Sequence, residues 1–244
     1  MPVHAIIFDL GGTLIDWPDW DDDAPRRWRL AYAYFAQRLP RRDWPEPAAF
    51  TQAMRDAELA HWEGVRERCT SGTATDLVRD GFDRLGVQVS EQEVMTVLDG
   101  YAHAISDWSI IFPDSVPTLL ELRKRGYRLG LLSNTWWASE WHNADLALHG
   151  LDALLDVVVY TSELPHSKPH PQVFYSVTER LGVTPRECMM VGDRLDADIK
   201  GGQEVGMRTV WKKPEHPWPS SIEVTPDAVI TDLSELLSLL PLLE

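Results

Sequence analysis

Lysine is scarce in this chain. There are five in 244 residues, and none precedes Lys124. Cysteine is scarcer still: Cys69 and Cys188 allow at most one disulfide and read as two buried thiols in a reducing cytoplasm. No apolar run approaches the roughly 20 residues that a membrane helix needs. The first ten residues lack the basic-then-apolar pattern of a secretory signal. The expectation is a soluble, cytoplasmic protein with no membrane partner. Basic charge is also in deficit, with a formal net charge of −15. That balance argues against nucleic acid as a partner, which calls for a basic face. It repels anionic substrates at long range as well, so any such substrate must be drawn by a local site. Internal repeats and long low-complexity segments are missing too.

What the chain does have is 44% hydrophobic residues, enough for a buried core, in a length that suits one large domain or two modest ones. Short apolar runs of strand length recur at His4–Leu10, Tyr127–Leu132, Val157–Tyr160, Cys188–Val191, Met207–Trp211 and Ala228–Ile230. Helical patterns alternate with them. Val116, Leu119 and Leu120 predict one apolar helix face, and Val173, Phe174, Val177 and Leu181 another. Alternating strand and helix predicts an α/β fold with a parallel sheet covered on both faces.

Residues 17–109 read differently, as helices without a convincing strand. Trp28, Ala31, Tyr32, Phe35 and Leu39 form one stripe, and Val94, Val97, Leu98, Tyr101 and Ile105 form a second. Ser90 and Glu93 make a capping box ahead of the second stripe. The expected organisation is a discontinuous α/β core of residues 1–16 and 110–244, with a helical module of residues 17–109 between. The Asp-rich stretch Asp16–Asp23 and the segment Ser106–Pro113 are the expected crossings. Trp136, Trp137 and Trp141 follow a strand end and suit either helix packing or the wall of a site.

Four strand ends carry groups with chemistry. Asp9 closes the first strand and precedes Gly11-Gly12; ligands of open parallel sheets bind beyond such carboxyl ends. Ser133-Asn134 ends a second strand with a hydroxyl and an amide. Lys168 stands in Ser167-Lys168-Pro169, just before a proline-marked helix start. Gly192-Asp193 ends another strand, and Asp198 follows five residues on. Singly, each has an ordinary reading: a turn residue, a cap, a solvated charge, a helix-start acid. Jointly they give an acid, a hydroxyl, a cation and two acids, in order, each at a strand end.

These four segments resemble motifs one to four of the haloacid dehalogenase superfamily. The spacing from Gly192-Asp193 to Asp198 and the Lys168-Pro169-x-Pro171 run are the more specific parts. The inserted helices resemble that family's helical cap, placed between motifs one and two. The resemblance implies a Rossmannoid parallel sheet with an inserted α-helical cap domain, and Mg²⁺-dependent hydrolysis of a small phosphorylated metabolite. It implies Asp9 as nucleophile, forming an aspartyl phosphate that is then hydrolysed. Asp9, Asp193 and the carbonyl of Gly11 would hold the metal, with Asp198 on a metal water or one shell out. Ser133 and the backbone N–H of Asn134 would bind phosphate oxygens, and Lys168 would neutralise charge on the transferring group.

One position departs from the family's commonest phosphatase pattern. That pattern places a second Asp, the general acid and base, two residues after the nucleophile; here the position is Gly11. Such help is worth roughly 10²–10⁴-fold in rate, and Asp16 is the candidate substitute. Two alternatives stay open. The family's 2-haloacid dehalogenases use the same nucleophile without metal, but carry Tyr where Gly11 stands and lack the Gly-Asp of motif four. A catalytically silent binding protein would explain Gly11 but not the five retained groups. A cap lysine acting as a Schiff base, as in the family's phosphonate hydrolases, is excluded because no lysine precedes Lys124. Arg26, Arg27, Arg66 and Arg68 are candidate contacts for a second anionic group, against the simpler reading of solvated helix charges. Trp20, Trp62 and Trp108 are candidate walls for an apolar one.

Overall fold

A computed structural model describes residues 2–39, 43–215 and 222–243. All six expected strands form: β1 (Ala5–Phe8), β4 (Arg128–Ser133), β5 (Val157–Tyr160), β6 (Cys188–Gly192), β7 (Arg208–Lys212) and β8 (Ala228–Ile230). They make one sheet in the order β5-β4-β1-β6-β7-β8, with every pair parallel. The first strand is shorter than the His4–Leu10 run at both ends. Leu10 has left it for the turn that carries Gly11 and Gly12.

Successive side chains of a strand point to opposite faces, and here both faces are covered. Ile6 and Phe8 join Leu129, Leu131, Met189 and Val191 on one face, under Leu119 and Leu122 of α5 (Ser115–Lys124) and Leu236 and Leu240 of α9 (Leu236–Leu243). Ala5 and Ile7 join Leu132, Val159 and Met190 on the other, under Val173, Phe174, Val177 and Leu181 of α7 (Pro171–Leu181). Leu120 corrects its expected place on the buried face of α5: it is half exposed, because Ser115, Thr118, Leu119 and Leu122 take that face instead.

Among the described residues, four helices stand between Ile15–Asp16 and Ile110–Ile111: α1 (Trp20–Arg38), α2 (Pro47–Arg68), α3 (Ala74–Arg84) and α4 (Glu91–Ile105). Capping boxes open α3 (Thr73 with Asp76) and α4 (Ser90 with Glu93), and proline stands at the first turn of α2. Both expected stripes bury their central residues in one aromatic-rich core. The crossings are more regular than a linker. Ile15–Asp16 (β2) pairs antiparallel with Ile110–Ile111 (β3), and α1 begins already at Trp20, so the Asp-rich stretch is split between a strand and a helix. The side chain of Trp20 lies outside the described residues. Among the described residues no helix is long and apolar enough to cross a membrane.

Contacts between the insert and the sheet domain include an aromatic one and a polar one. Trp136 and Trp137, just beyond β4, are buried in the insert's core; Trp136 stacks on Trp28 with ring centroids 6.1 Å apart. The Cys69–Ser71 segment between α2 and α3 lies along the loop before Lys168. Ser167 N donates to Cys69 O (2.9 Å), Ser71 N to Pro165 O (3.3 Å) and Ser167 Oγ to Thr70 O (3.2 Å), while Ser71 Oγ donates to Thr161 O.

Candidate active site

The chain runs from β1 outward to β4 and β5, then returns to β6 on the other side of β1. Strand order therefore reverses at β1, and the crevice beyond its carboxyl end is where such sheets bind ligands. Phe8 is in register with Leu131 of β4 and Val191 of β6. That register sets Asp9, Ser133 and Asp193 side by side at three adjacent strand ends.

Asp9, Ser133, Lys168, Asp193 and Asp198 are all buried. Lys168 Nζ donates to Asp9 Oδ1 (2.5 Å), Asp198 Oδ1 (2.6 Å) and Leu132 O (2.7 Å). The solvated reading of Lys168 is thereby excluded. A buried ammonium needs partners, and those two carboxylates hold its pKa above the usual lysine value despite burial. At Asp198 burial outweighs Lys168 and pushes the carboxyl up to about 6. Asp198 Oδ2 also accepts from Arg194 N (3.0 Å), so both its oxygens are engaged. It sits in a π-helical turn, Leu195–Ile199, rather than at an ordinary helix start.

The glycines beside these acids are required by close approach. A Cβ on Gly192 would lie 2.3 Å from Cγ of Asp198. Gly12, at φ +73°, would put a Cβ 2.6 Å from Asp193 Oδ2. Carboxylate oxygens of Asp9, Asp193 and Asp198 come within 4.8 Å of one another. Three carboxylates against one Lys168 ammonium leave a formal local charge of −2. A phosphate brought there would be repelled without a further cation. All-oxygen donors around buried negative charge suit a hard divalent ion such as Mg²⁺.

Several contributors escaped the sequence reading. The side chain of Asn134 clasps the backbone of Lys168: Lys168 N donates to Asn134 Oδ1 (2.8 Å) and Asn134 Nδ2 to Lys168 O (3.0 Å). Lys212 is buried at the end of β7, its Nζ 3.3 Å from Gly12 O and 3.4 Å from the centroid of the Phe112 ring. Burial pulls its pKa down, while Asp114, Asp193 and Asp16 oppose that. The strand-end rule that singles out Asp9 points to Lys212 equally well. Asp16, the candidate substitute acid, lies in β2; burial raises its carboxyl pKa, and Trp17 N donates to its Oδ1 (2.8 Å).

Of the four candidate arginines, Arg27 is no solvated charge. It is fully buried, its Nε donates to Tyr101 Oη (3.1 Å), and its guanidinium lies 4.8 Å from the Trp108 ring centroid. Arg26, Arg66 and Arg68 are exposed, away from these buried contacts. Trp62 and Trp108 pack partly buried against the insert's core. Both cysteines are free thiols, Cys188 buried and Cys69 only half so, because Cys69 caps α2 at the surface between insert and core.

The family profile described as haloacid dehalogenase-like hydrolase matches residues 3–206. The chain belongs to that family of hydrolases. Among named relatives it is 39% identical over 99 residues to the glyceraldehyde 3-phosphate phosphatase of Methanopyrus kandleri, covering 41% of this chain and 42% of that one. It thus spans less than half of that relative's length. It is 32% identical over 167 residues to the pyrophosphatase PpaX of Bacillus mycoides, covering 67% of this chain and 75% of the relative. Among solved structures it is similar to a haloacid dehalogenase-type phosphatase from Thermococcus onnurineus, with a TM-score of 0.64 and 28% identity over 98% of each chain.

Proposed function

We propose that the chain hydrolyses a small phosphate monoester with Mg²⁺, through an aspartyl phosphate on Asp9. The observation that carries this reading is the array at the switch point: Asp9 held by Lys168, itself held by Asp198, with Asp193 alongside. The two relatives named for phosphate chemistry support it. A dehalogenase of this family would have a bulky side chain at position 11 and no Gly192-Asp193 pair.

In this reading a carboxylate oxygen of Asp9 attacks phosphorus and the bond to the leaving oxygen breaks. Water then attacks the same phosphorus, releasing phosphate and restoring the carboxylate. Lys168, buried and fixed on three acceptors, cannot rotate away, so its charge is pre-set where charge develops. Ser133 and the N–H of Asn134 bind the phosphoryl oxygens. The Asn134 side chain orients Lys168 through its backbone. Asp9, Asp193 and the Gly11 carbonyl would hold Mg²⁺, with Asp198 orienting Lys168 and a metal water. That ion would offset the local negative charge and bring the phosphate against the nucleophile. The four-helix insert would act as the cap, with residues 17–109 covering the core of 1–16 and 110–244 and shaping the leaving-group pocket. The compartment proposed is the cytoplasm, which suits two free thiols.

The test is Mg²⁺-dependent release of p-nitrophenol from its phosphate ester, an activated substrate that barely needs a general acid. Wild type should turn over, EDTA should stop it and Mg²⁺ restore it. Asp9→Asn should fold normally and be inactive. Turnover by a verified Asp9→Asn sample, or undiminished turnover in chelator, would defeat the assignment.

A further inference from the structure

Position 11 is empty of side chain, but the space above it is not empty. An ideal Cβ on Gly11 would lie 3.1 Å from Cζ3 and 3.8 Å from Cε3 of Trp17. The benzenoid edge of Trp17 therefore fills the direction in which any side chain at position 11 would have to grow. The ring is held there. It meets Trp137 edge-on at 5.4 Å and 72°, and His142 at 5.6 Å and 61°. Trp137 stacks on His142 at 5.0 Å, and His142 on Tyr160 at 5.1 Å, both at 24°. His142 Nε2 lies 2.8 Å from Thr135 Oγ1, two residues beyond Ser133. A continuous aromatic cluster thus runs from above Gly11 to the ends of β4 and β5, with Trp137, His142 and Tyr160 buried behind Trp17. Trp17 itself is only half-buried, so part of the indole remains open to a ligand.

We propose that Trp17 is a specificity-determining residue. It occupies the place from which a side chain at position 11 would serve the departing oxygen, and offers the leaving group an aromatic surface instead. The substrate class that fits is a phosphate monoester of an aromatic or similarly flat, apolar alcohol of low basicity, which leaves without a proton donor. Alkyl esters meet the same indole with neither an acid nor a stacking surface matched to them. This inference rests on the phosphohydrolase reading and narrows it.

An aromatic pair contributes about 0.5–1.5 kcal/mol beyond area burial, or roughly two- to twelvefold in affinity. The test compares wild type with Trp17→Ala, Trp17→Leu, Gly11→Asp and the double variant Gly11→Asp/Trp17→Ala. Phenylphosphonate and ethylphosphonate binding is measured by calorimetry with Mg²⁺ present, and phenyl and ethyl phosphate hydrolysis by phosphate release. Wild type should prefer the aryl ligand, and both Trp17 variants should lose that preference by about two- to twelvefold. Trp17→Leu keeps apolar bulk and guards against a fold defect in the alanine variant. Gly11→Asp alone should lower turnover of both esters, because the new side chain meets the indole. With Trp17 removed, the same Asp should raise ethyl phosphate turnover above Trp17→Ala by about tenfold or more. Equal aryl preference in wild type and both Trp17 variants would overturn the proposal, as would a gain in alkyl turnover from Gly11→Asp with Trp17 in place. Failure of wild type to bind either phosphonate or to hydrolyse any ester would instead sink the phosphohydrolase reading, and this inference with it.

Discussion

Replacing Lys168 with Met removes the cation that two buried carboxylates share while keeping most of the side chain's apolar volume. Asp198 is wholly buried and Asp9 nearly so, and Lys168 is only 2% exposed. Taking one partner from a buried ion pair costs about 3–5 kcal/mol, chiefly because an uncompensated charge stays behind. For a chain of this size each kcal/mol moves the melting temperature by about 2–4 °C, so the expected drop is about 6–20 °C. The deficit should depend on pH with a definite sign. Asp198 already titrates at about 6 rather than near 3.8, because of its burial. A carboxyl with a raised native pKa contributes stability that is full below its unfolded value and is lost as pH rises through the native one. Without Lys168 that native pKa moves further up. The variant should therefore lie close to wild type near pH 4–5 and fall well below it at pH 8. Mg²⁺ should restore part of the loss at pH 8 by supplying a cation to the same acids. Scanning calorimetry at the two pH values, with chelator and then with Mg²⁺, reads all three effects. A chelated variant melting within about 2 °C of wild type at pH 8 would refute the buried-triad account.

Further outcomes follow from other contacts at the site. Gly12→Ala should cost about 1–2 kcal/mol for its left-handed backbone, read as a lower urea midpoint. Because the new Cβ would displace Asp193, it should also raise the Mg²⁺ concentration needed for activity. In calorimetric titrations Asp193→Ala should weaken Mg²⁺ binding more than Asp198→Ala, since the oxygens of Asp198 are already taken by Lys168 and Arg194 N; the reverse order would exchange their roles. Burial pulls the His142 pKa down to about 3, so its ring signals should not titrate between pH 5 and 8. The unfolded chain takes up that proton near pH 6.5, so His142 should cost the fold stability as pH falls below that value, by about 2 kcal/mol at pH 5. His142→Phe with an unchanged acid limb of stability would contradict this.

The strands were legible because each is a short, continuously apolar run, which is what burial on both faces of a parallel sheet demands. The candidate site groups at their ends were legible for a related reason. A polar residue directly after such a run stands at the sheet's edge, and Asp9, Ser133 and Asp193 all do. The same rule applied to Trp211-Lys212 would have found Lys212. Other features left no local trace. Arg27 looks like any helix-face arginine, and only the packing of α1 against α4 sets its guanidinium under Tyr101 and Trp108. The polar Cys69–Ser71 segment reads as a loop between helices. Its hydrogen bonds to the loop before Lys168 join residues about a hundred positions apart.

The sequence by itself determined the α/β class, the helical insert and the identity of the groups at the strand ends, because periodicity and strand-end polarity are local properties of the chain. Tertiary structure decided how those groups meet. The parallel register places three strand ends side by side, and the close approach allowed by Gly12 and Gly192 packs the acids around them. Tertiary packing sets Trp17 edge-on against Trp137 and over Gly11. Gly11 alone reads as a missing acid; with Trp17 above it, the same glycine becomes the floor beneath an indole. That difference is a contact between residues six apart, fixed by Trp137 of the loop beyond β4 and His142 of α6 (Ser139–Leu148), which no local pattern specifies.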